Sequence, residues 1–388
     1  MSRPLDGFTV VDFTHVLAGP ACAYHLGLLG AEIVKVESPR GDAIRHRGGT
    51  DRAAAERAMS TPYATQAAGK RAVCLDLDTP RGRDAMERLL RDADVLVENH
   101  RPSTLRRLGL HEEETLARHP RLVHCAMTGY GRGGPLEEAP AYDVNIQATS
   151  GLMALTGTAE GGPTRVGAPV IDYATALAAG FAIAAALLRR ERTGRGAFVD
   201  VSMLETAHTL MASTIVDHAI TGRVPQRRGN AANSRSPSAG SFPCREGMLS
   251  LGVNEEGQFR ALAHALGRAD WLGDERFATR GPRLDHAPAL VEQIEAALAA
   301  DTAENWEARL LAAGVPCARV RTLPESLATA QVTARGHLVA VPGEGWAAPG
   351  LPFRLDGAPA AAPDRAPAPI GADNAAFGLP RVPRAQGD

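Results

Sequence analysis

The run Gly167-Ala168-Pro169-Val170-Ile171-Asp172-Tyr173 holds one acidic residue, Asp172. Sixteen uncharged residues follow it, Tyr173 to Leu188, mostly apolar and rich in alanine. A carboxylate therefore stands at the mouth of a segment that has to be buried. Such an acid is either a helix cap or a chemical group. Aspartate is a favoured N-cap, because its side chain accepts from the free N–H groups of a first turn. It is also a nucleophile where water is kept away. The residue type leaves both readings open. Asp143, alone, reads as an exposed or hydrogen-bonded loop acid.

The other chemical signals are weak. Gly129-Tyr130-Gly131-Arg132-Gly133-Gly134-Pro135 follows a strand pattern, but Pro135, Glu137 and Glu138 come next instead of a phosphate-binding helix. A turn, or a loop that lets a ligand approach the backbone, fits better than a nicotinamide site. Gly69-Lys70-Arg71 lacks the upstream glycine and the hydroxyl residue of a phosphate loop, and no GxSxG elbow occurs. His15, His25 and the other histidines show no metal-ligand spacing, so no metal is expected. Basic residues cluster at Arg40, Arg45 and Arg47 and at Arg101, Arg106 and Arg107. Such patches suit a small phosphorylated ligand, or are solvated surface arginines.

The elements around these residues alternate. Strand patterns cover 8–13, 31–37, 73–77, 95–98, 122–127 and 197–202. Helical patterns cover 21–29, 80–92 and 173–190. Strands separated by helices imply an α/β fold with a covered parallel sheet. Residues 222–240 turn to Arg, Asn, Ser, Pro and Gly and read as a linker. Residues 241–325 read as a smaller α+β domain, with a strand pair near 241–253 and helices near 255–266, 288–299 and 302–313. The predicted organisation is thus 1–221, a linker at 222–240, 241–325, and a return segment at 326–388.

The chain has 388 residues, more than one core holds, which implies two domains. Its net charge of -2 gives no bulk reason to expect nucleic acid or an anionic membrane. Cys22, Cys74, Cys125, Cys244 and Cys317 are odd in number and scattered, which suggests neither a disulfide framework nor a zinc site. The start, Met-Ser-Arg-Pro-Leu-Asp-Gly, shows no apolar signal region. The run after Asp172 falls short of the roughly 20 strongly apolar residues that cross a bilayer. A reduced, cytoplasmic, soluble protein is expected.

Several blocks, in order, resemble the class III CoA-transferases, the group that includes the formyl-CoA and carnitine CoA-transferases. They are Pro4-Leu5-Asp6-Gly7, Asp12 to Pro20, Leu29 to Glu37, Lys70-Arg71, Leu75-Asp76-Leu77 and Val97-Glu98-Asn99. Tyr142-Asp143, Ser150 to Met153, Thr156-Gly157, Asp172-Tyr173, Arg192 to Gly196 and Val199 to Ser202 continue them. The resemblance spans nearly the whole chain. It implies that Asp172 is a nucleophile, ionised at pH 7 without a partner base, with Asp143 an acid near it. It implies that His15, Val16, Leu17 and Ala18 lie against CoA, that Asn99 and His100 flank the CoA chain, and that Arg107 meets a nucleotide phosphate. It implies CoA transfer between an acyl-CoA and a free carboxylic acid, with no cofactor other than coenzyme A as substrate. The implied fold is an interlocked homodimer of subunits with a large Rossmann-like domain and a smaller one.

The resemblance has departures. The formyl-CoA branch has glutamine where Leu17 stands and arginine where Ser38 stands, and its glycine-rich small-domain loop is not evident here, which argues against oxalate or formate. The related α-methylacyl-CoA racemases pair the aspartate matching Asp172 with a histidine at the position of Tyr142. A tyrosine, with a pKa near 10, is a poor substitute for that base. The alternatives to transfer are thus α-proton exchange of the racemase type and CoA binding without catalysis.

Overall fold

The computed structural model describes residues 3–358 and 361–380. Six parallel strands form its main sheet: β1 (Thr9–Phe13), β2 (Glu32–Glu37), β3 (Lys70–Cys74), β4 (Val95–Glu98), β5 (Val123–Thr128) and β6 (Ala197–Ser202). Their spatial order is β3-β2-β1-β4-β5-β6. The chain steps outward from β1 to β2 and β3, then returns to the other side of β1 with β4. The connections leaving the carboxyl ends of β1 and β4 diverge there, which opens the crevice where such sheets bind ligands.

The helices that matter for the site are α1 (Ala18–Leu28), α2 (Pro80–Asp92), α3 (Pro102–Leu108), α4 (Asp143–Thr149) and α5 (Val170–Thr193). Alternating side chains give the sheet two apolar faces. Val10, Ile33, Val95, Val97, Val123 and Cys125 pack with Ala21, Cys22 and Leu26 of α1 and Ala176, Ala179 and Ile183 of α5. Val11, Val34, Val36, Val73 and Leu96 pack with Met86 and Leu90 of α2 and Leu105 of α3. Each large apolar side chain so buried contributes about 1.5–3 kcal/mol.

Three differences from the expected pattern have physical causes. The third strand is Lys70–Cys74, not 73–77, because Lys70 is buried against Asp12 and so belongs inside the sheet despite its charge. The long helix begins at Val170, ahead of Asp172, and ends where Gly194 takes the left-handed conformation at φ 70°. With 24 residues and a mean hydropathy of 1.8 over an 18-residue stretch of it, α5 does reach the length and apolarity of a membrane span. Yet Ile171, Ala176, Ala179 and Ile183 are wholly buried in the protein, as in a core helix, while Phe181 on the far side is 80% exposed.

The chain divides into two compact units. One comprises the residues up to Leu152, Arg165–Arg223 and those from Ala330 onward, and holds the six-stranded sheet. The other comprises Met153–Thr164 and Val224–Thr329. The second unit thus includes a short stretch, 153–164, that the composition pattern leaves within 1–221. In it the antiparallel strands Ala239–Pro243, Met248–Gly252 and Cys317–Arg319 form a sheet. Phe242, Leu249 and Leu251 of that sheet pack with Phe259, Trp271, Ile294 and Trp306.

Candidate active site

Asp172 lies in the first turn of α5, but it does not cap it. The N-cap position is Pro169, whose side chain has no acceptor to offer. The capping is done from another helix. Asp143, buried at the start of α4, accepts the Ile171 N–H at 2.7 Å and the Asp172 N–H at 3.2 Å on its Oδ2. Of the two expectations for Asp143, exposed or hydrogen-bonded, the second describes it, although it is buried in the first turn of a helix and not in a loop. Because Asp143 satisfies those N–H groups, the Asp172 side chain is released from capping and lines a cavity. Burial, and then the negative charge of Asp143, push the Asp172 carboxyl up to about 7. The sequence-level expectation that it is fully ionised at pH 7 is thus corrected: near neutrality it is a weak acid, partly protonated.

The loop after β1 forms the opposite wall. Asn99, just past β4, accepts the His15 N–H at 2.9 Å and donates to the His15 carbonyl at 2.8 Å. The next N–H, of Val16, donates to Asp42 Oδ2 at 3.0 Å. Lys35 donates to the Thr14 carbonyl, and Thr14 donates through both its N–H and its hydroxyl to Asp12. These ties hold Val16 at φ 69°, a left-handed conformation that a β-branched residue avoids at a cost of roughly 1–3 kcal/mol. Asn99 and Asp42 thus act on the loop's shape. Asp42 carries no signal in a sequence pattern, since its partner is 26 residues away.

The His100 ring packs at a tilt against Phe13 with ring centroids 4.1 Å apart, and the His100 backbone N–H donates to the buried Glu98 carboxylate at 2.7 Å. Burial first, then repulsion from the neighbouring His15 imidazole and the Lys35 ammonium, push its imidazole down to about 3. It is a neutral wall at physiological pH.

His15, Val16, Leu17, Ala18, Asn99, His100 and Asp172 all border one cavity of about 380 Å³. Tyr142, singled out above where the racemases carry histidine, borders it too, as do Thr128 and Met203, to which no pattern pointed. A second hollow of about 570 Å³ shares His15, His100 and Thr104 as walls and runs on to Ser38, Arg40, Asp78 and Arg107. Both volumes lie in the range of small-molecule sites, about 300–1,000 Å³. Arg107 is therefore in the adjoining hollow and apart from Asp172. It is 60% exposed and paired with Asp78 at 2.5 Å. Arg45 belongs to neither hollow. It is fully buried, bonded to Glu37 and Tyr63, and structural.

Residues 5–374 match CoA-transferase family III. This chain belongs to that family. It is 36% identical to the succinate–glutarate CoA-transferase of Agrobacterium fabrum, over 90% of this chain and 88% of that protein. It is 33% identical to the acetyl-CoA:oxalate CoA-transferase of Acetobacter aceti, over 91% of this chain and 90% of that protein. A CAIB/BAIF family protein from Brucella suis shares the fold with a TM-score of 0.85 and 31% identity, covering 97% of this chain and 99% of that one. As a family III CoA-transferase, the chain is an enzyme, and its α/β architecture is that of its relatives.

Proposed function

We propose that this enzyme moves CoA from an acyl-CoA thioester to a free carboxylic acid, with Asp172 carrying the CoA in between. The observation that supports this most is the Asp143 cap. It leaves a half-buried aspartate, whose side chain does no capping, facing a cavity at the switch point of the sheet. Asp172 attacks the thioester carbonyl and expels CoA thiolate, which leaves a mixed anhydride. The thiolate attacks the aspartyl carbonyl of that anhydride, releases the donor carboxylate and forms an aspartyl-CoA thioester. The acceptor carboxylate attacks this thioester and expels the thiolate again. The thiolate then attacks the acceptor's acyl carbon, which yields the new acyl-CoA and restores Asp172. No proton is gained or lost over the cycle. Burial strengthens the carboxylate as a nucleophile and keeps water from the anhydride.

Several relatives are named for short dicarboxylic acids, which makes these the first substrates to try, while one is named a probable fatty acyl-CoA transferase. A relative named for oxalate matches nearly as well as one named for succinate and glutarate, so overall similarity does not choose between these acids. A panel of CoA thioesters and free acids, read by mass spectrometry, tests transfer. With the productive pair, kcat/KM should rise with pH through about 7, because the nucleophile must be ionised. A profile flat from pH 5 to 9, or no label exchange between any acid and its thioester, would contradict the proposal.

The 570 Å³ hollow suits the nucleotide end of CoA. The Arg107–Asp78 pair is exposed on both sides and worth only about 0–1 kcal/mol, so a phosphate can displace Asp78. Exposure also weakens the phosphate contact below that of a buried one. Arg107→Ala should therefore weaken CoA binding roughly threefold to tenfold, while Arg106→Ala, outside the hollow, should change it little. Equal effects in a direct CoA titration would place the phosphate elsewhere.

A second copy of the chain is the proposed partner. Phe181 (80%), Leu188 (57%), Val216 (54%) and Ile220 (79%) are large apolar side chains left exposed, as a self-association face would be. The mass of the protein by light scattering tests this, and a stable monomer would refute it. The expected cytoplasmic location stands as a proposal with it.

A further inference from the structure

Gln147 sits one helical turn after Asp143 on α4, and none of its surface reaches solvent. The cluster around that part of α4 is apolar, formed by Ile146, Ile171, Met203 and Ala207. A buried amide is costly there unless both ends are bonded, and both are. Nε2 donates to Asp143 Oδ1, and Oε1 accepts the Val166 N–H at 2.9 Å. A carboxylate facing Nε2 and an N–H facing Oε1 allow the amide only one orientation. The other oxygen of Asp143 receives the N–H groups of Ile171 and Asp172. One side chain therefore ties the strand of chain that leads into α5 to the carboxylate that receives the first turn of α5.

We propose that Gln147 is a positioning residue of CoA transfer: it joins Asp143 and Val166 into one network that fixes where the Asp172 carboxylate points. This rests on Asp172 being the group that takes the CoA. Gln147 acts through Asp143 and reaches no substrate itself, since it is absent from the walls of the Asp172 cavity. An apolar residue would fill the same space without any partner, so what the amide adds is direction.

Two variants separate positioning from packing. Gln147→Met keeps length and volume but loses both hydrogen bonds. It should lower kcat about 10- to 100-fold, the scale of a misaimed reacting group, with KM for acyl-CoA within about threefold. Gln147→Glu keeps the acceptor for Val166 but can donate to Asp143 only while its carboxylic acid is protonated. Its rate relative to wild type should therefore climb as pH falls from 8 to 6. The titratable groups on the packed elements are Asp143 on α4, Asp172 and Tyr173 in the first turn of α5, with Arg189, Arg190, Glu191 and Arg192 at its far end, and the exposed Glu205 and His208 on the helix Met203–Leu210. The wild-type reference carries the same groups, so the ratio isolates the substitution. Circular dichroism and melting temperature report whether each variant is folded. Wild-type kcat in the Met variant, or a Glu-to-wild-type ratio that does not change with pH, overturns the proposal. So does a rate loss accounted for by unfolded protein. Normal transfer by Asp172→Ala would instead remove the reading beneath it, whatever the Gln147 variants do.

Discussion

Asp172→Ala should lose at least about 10³-fold in transfer rate, the scale of removing a covalent nucleophile. The loss should fall on kcat with the fold intact, because Asp172 does not cap α5 and Asp143 remains to do so. Stability should move the other way. The Asp172 carboxyl titrates at about 7 in the folded protein, raised from 3.8 by burial first and by Asp143 second. A raised acid holds its proton more tightly when folded. Its contribution to stability is present below 3.8 and is lost as pH rises through about 7. Above that pH the folded protein carries the cost of an ionised, poorly solvated aspartate, and alanine removes that cost. The variant should thus be inactive yet melt no lower than wild type at pH 8. Near-normal transfer would sink the mechanism, and a collapse of stability would show that Asp172 holds the helix after all.

Asp12→Ala should have the largest effect on the fold, a loss of about 3–5 kcal/mol. Asp12 is wholly buried, with Lys70 at 2.7 Å and Lys35 at 3.5 Å, both nearly as buried. Burial drives its carboxyl up, but the charges of Lys35 and Lys70 outweigh that and hold it at about 2. Alanine would leave two buried ammonium groups without a counter-charge. The pH dependence has the opposite sign to that of Asp172. A depressed acid stabilises fully above 3.8, and that stability is lost as pH falls through about 2. Urea unfolding of wild type should show this decline below pH 4, and the alanine variant should lack it. Where alanine fails to fold, Asp12→Asn keeps the hydrogen-bonding shape and should still lose most of the acid-side dependence. An Asp12 variant as stable as wild type would contradict the ion cluster. The same cluster reaches the site, since Asp12 and Lys35 together fix Thr14 at the head of the His15–Val16 loop.

The alternation of strands and helices made the parallel sheet legible, because period-2 and period-3.6 apolar patterns are local. It misled where charge is buried. Lys70 looks like surface and is core, so β3 lies three residues earlier than its apolar residues suggested. The helices α3 and α4 are seven residues each, and so short an apolar face gives little periodic signal. The run around Asp172 drew attention in the sequence, but its pattern could not separate cap from chemistry. The residue that does the capping, Asp143, lies 28 residues before the Ile171 N–H it accepts. Gln147 was hidden for a similar reason. Its spacing of four from Asp143 is visible in the sequence, whereas its bond to Val166, 19 residues on, exists only in the folded chain. The block resemblance supplied the roles of Asn99 and Arg107, and the structure changes how each would act: Asn99 through the His15 backbone, Arg107 as an exposed partner of Asp78.

The central claim is that CoA becomes bonded to Asp172. The most direct test incubates the enzyme with a productive acyl-CoA, omits the acceptor acid, adds hydroxylamine, and maps the modified peptide by mass spectrometry. Hydroxylamine converts an aspartyl thioester into a hydroxamate, so the expected result is that mass change on Asp172 in wild type and none in enzyme incubated without acyl-CoA. Borohydride should reduce the same trapped residue. An unmodified Asp172 in enzyme that is turning over, or the label on a different carboxylate, would contradict the mechanism.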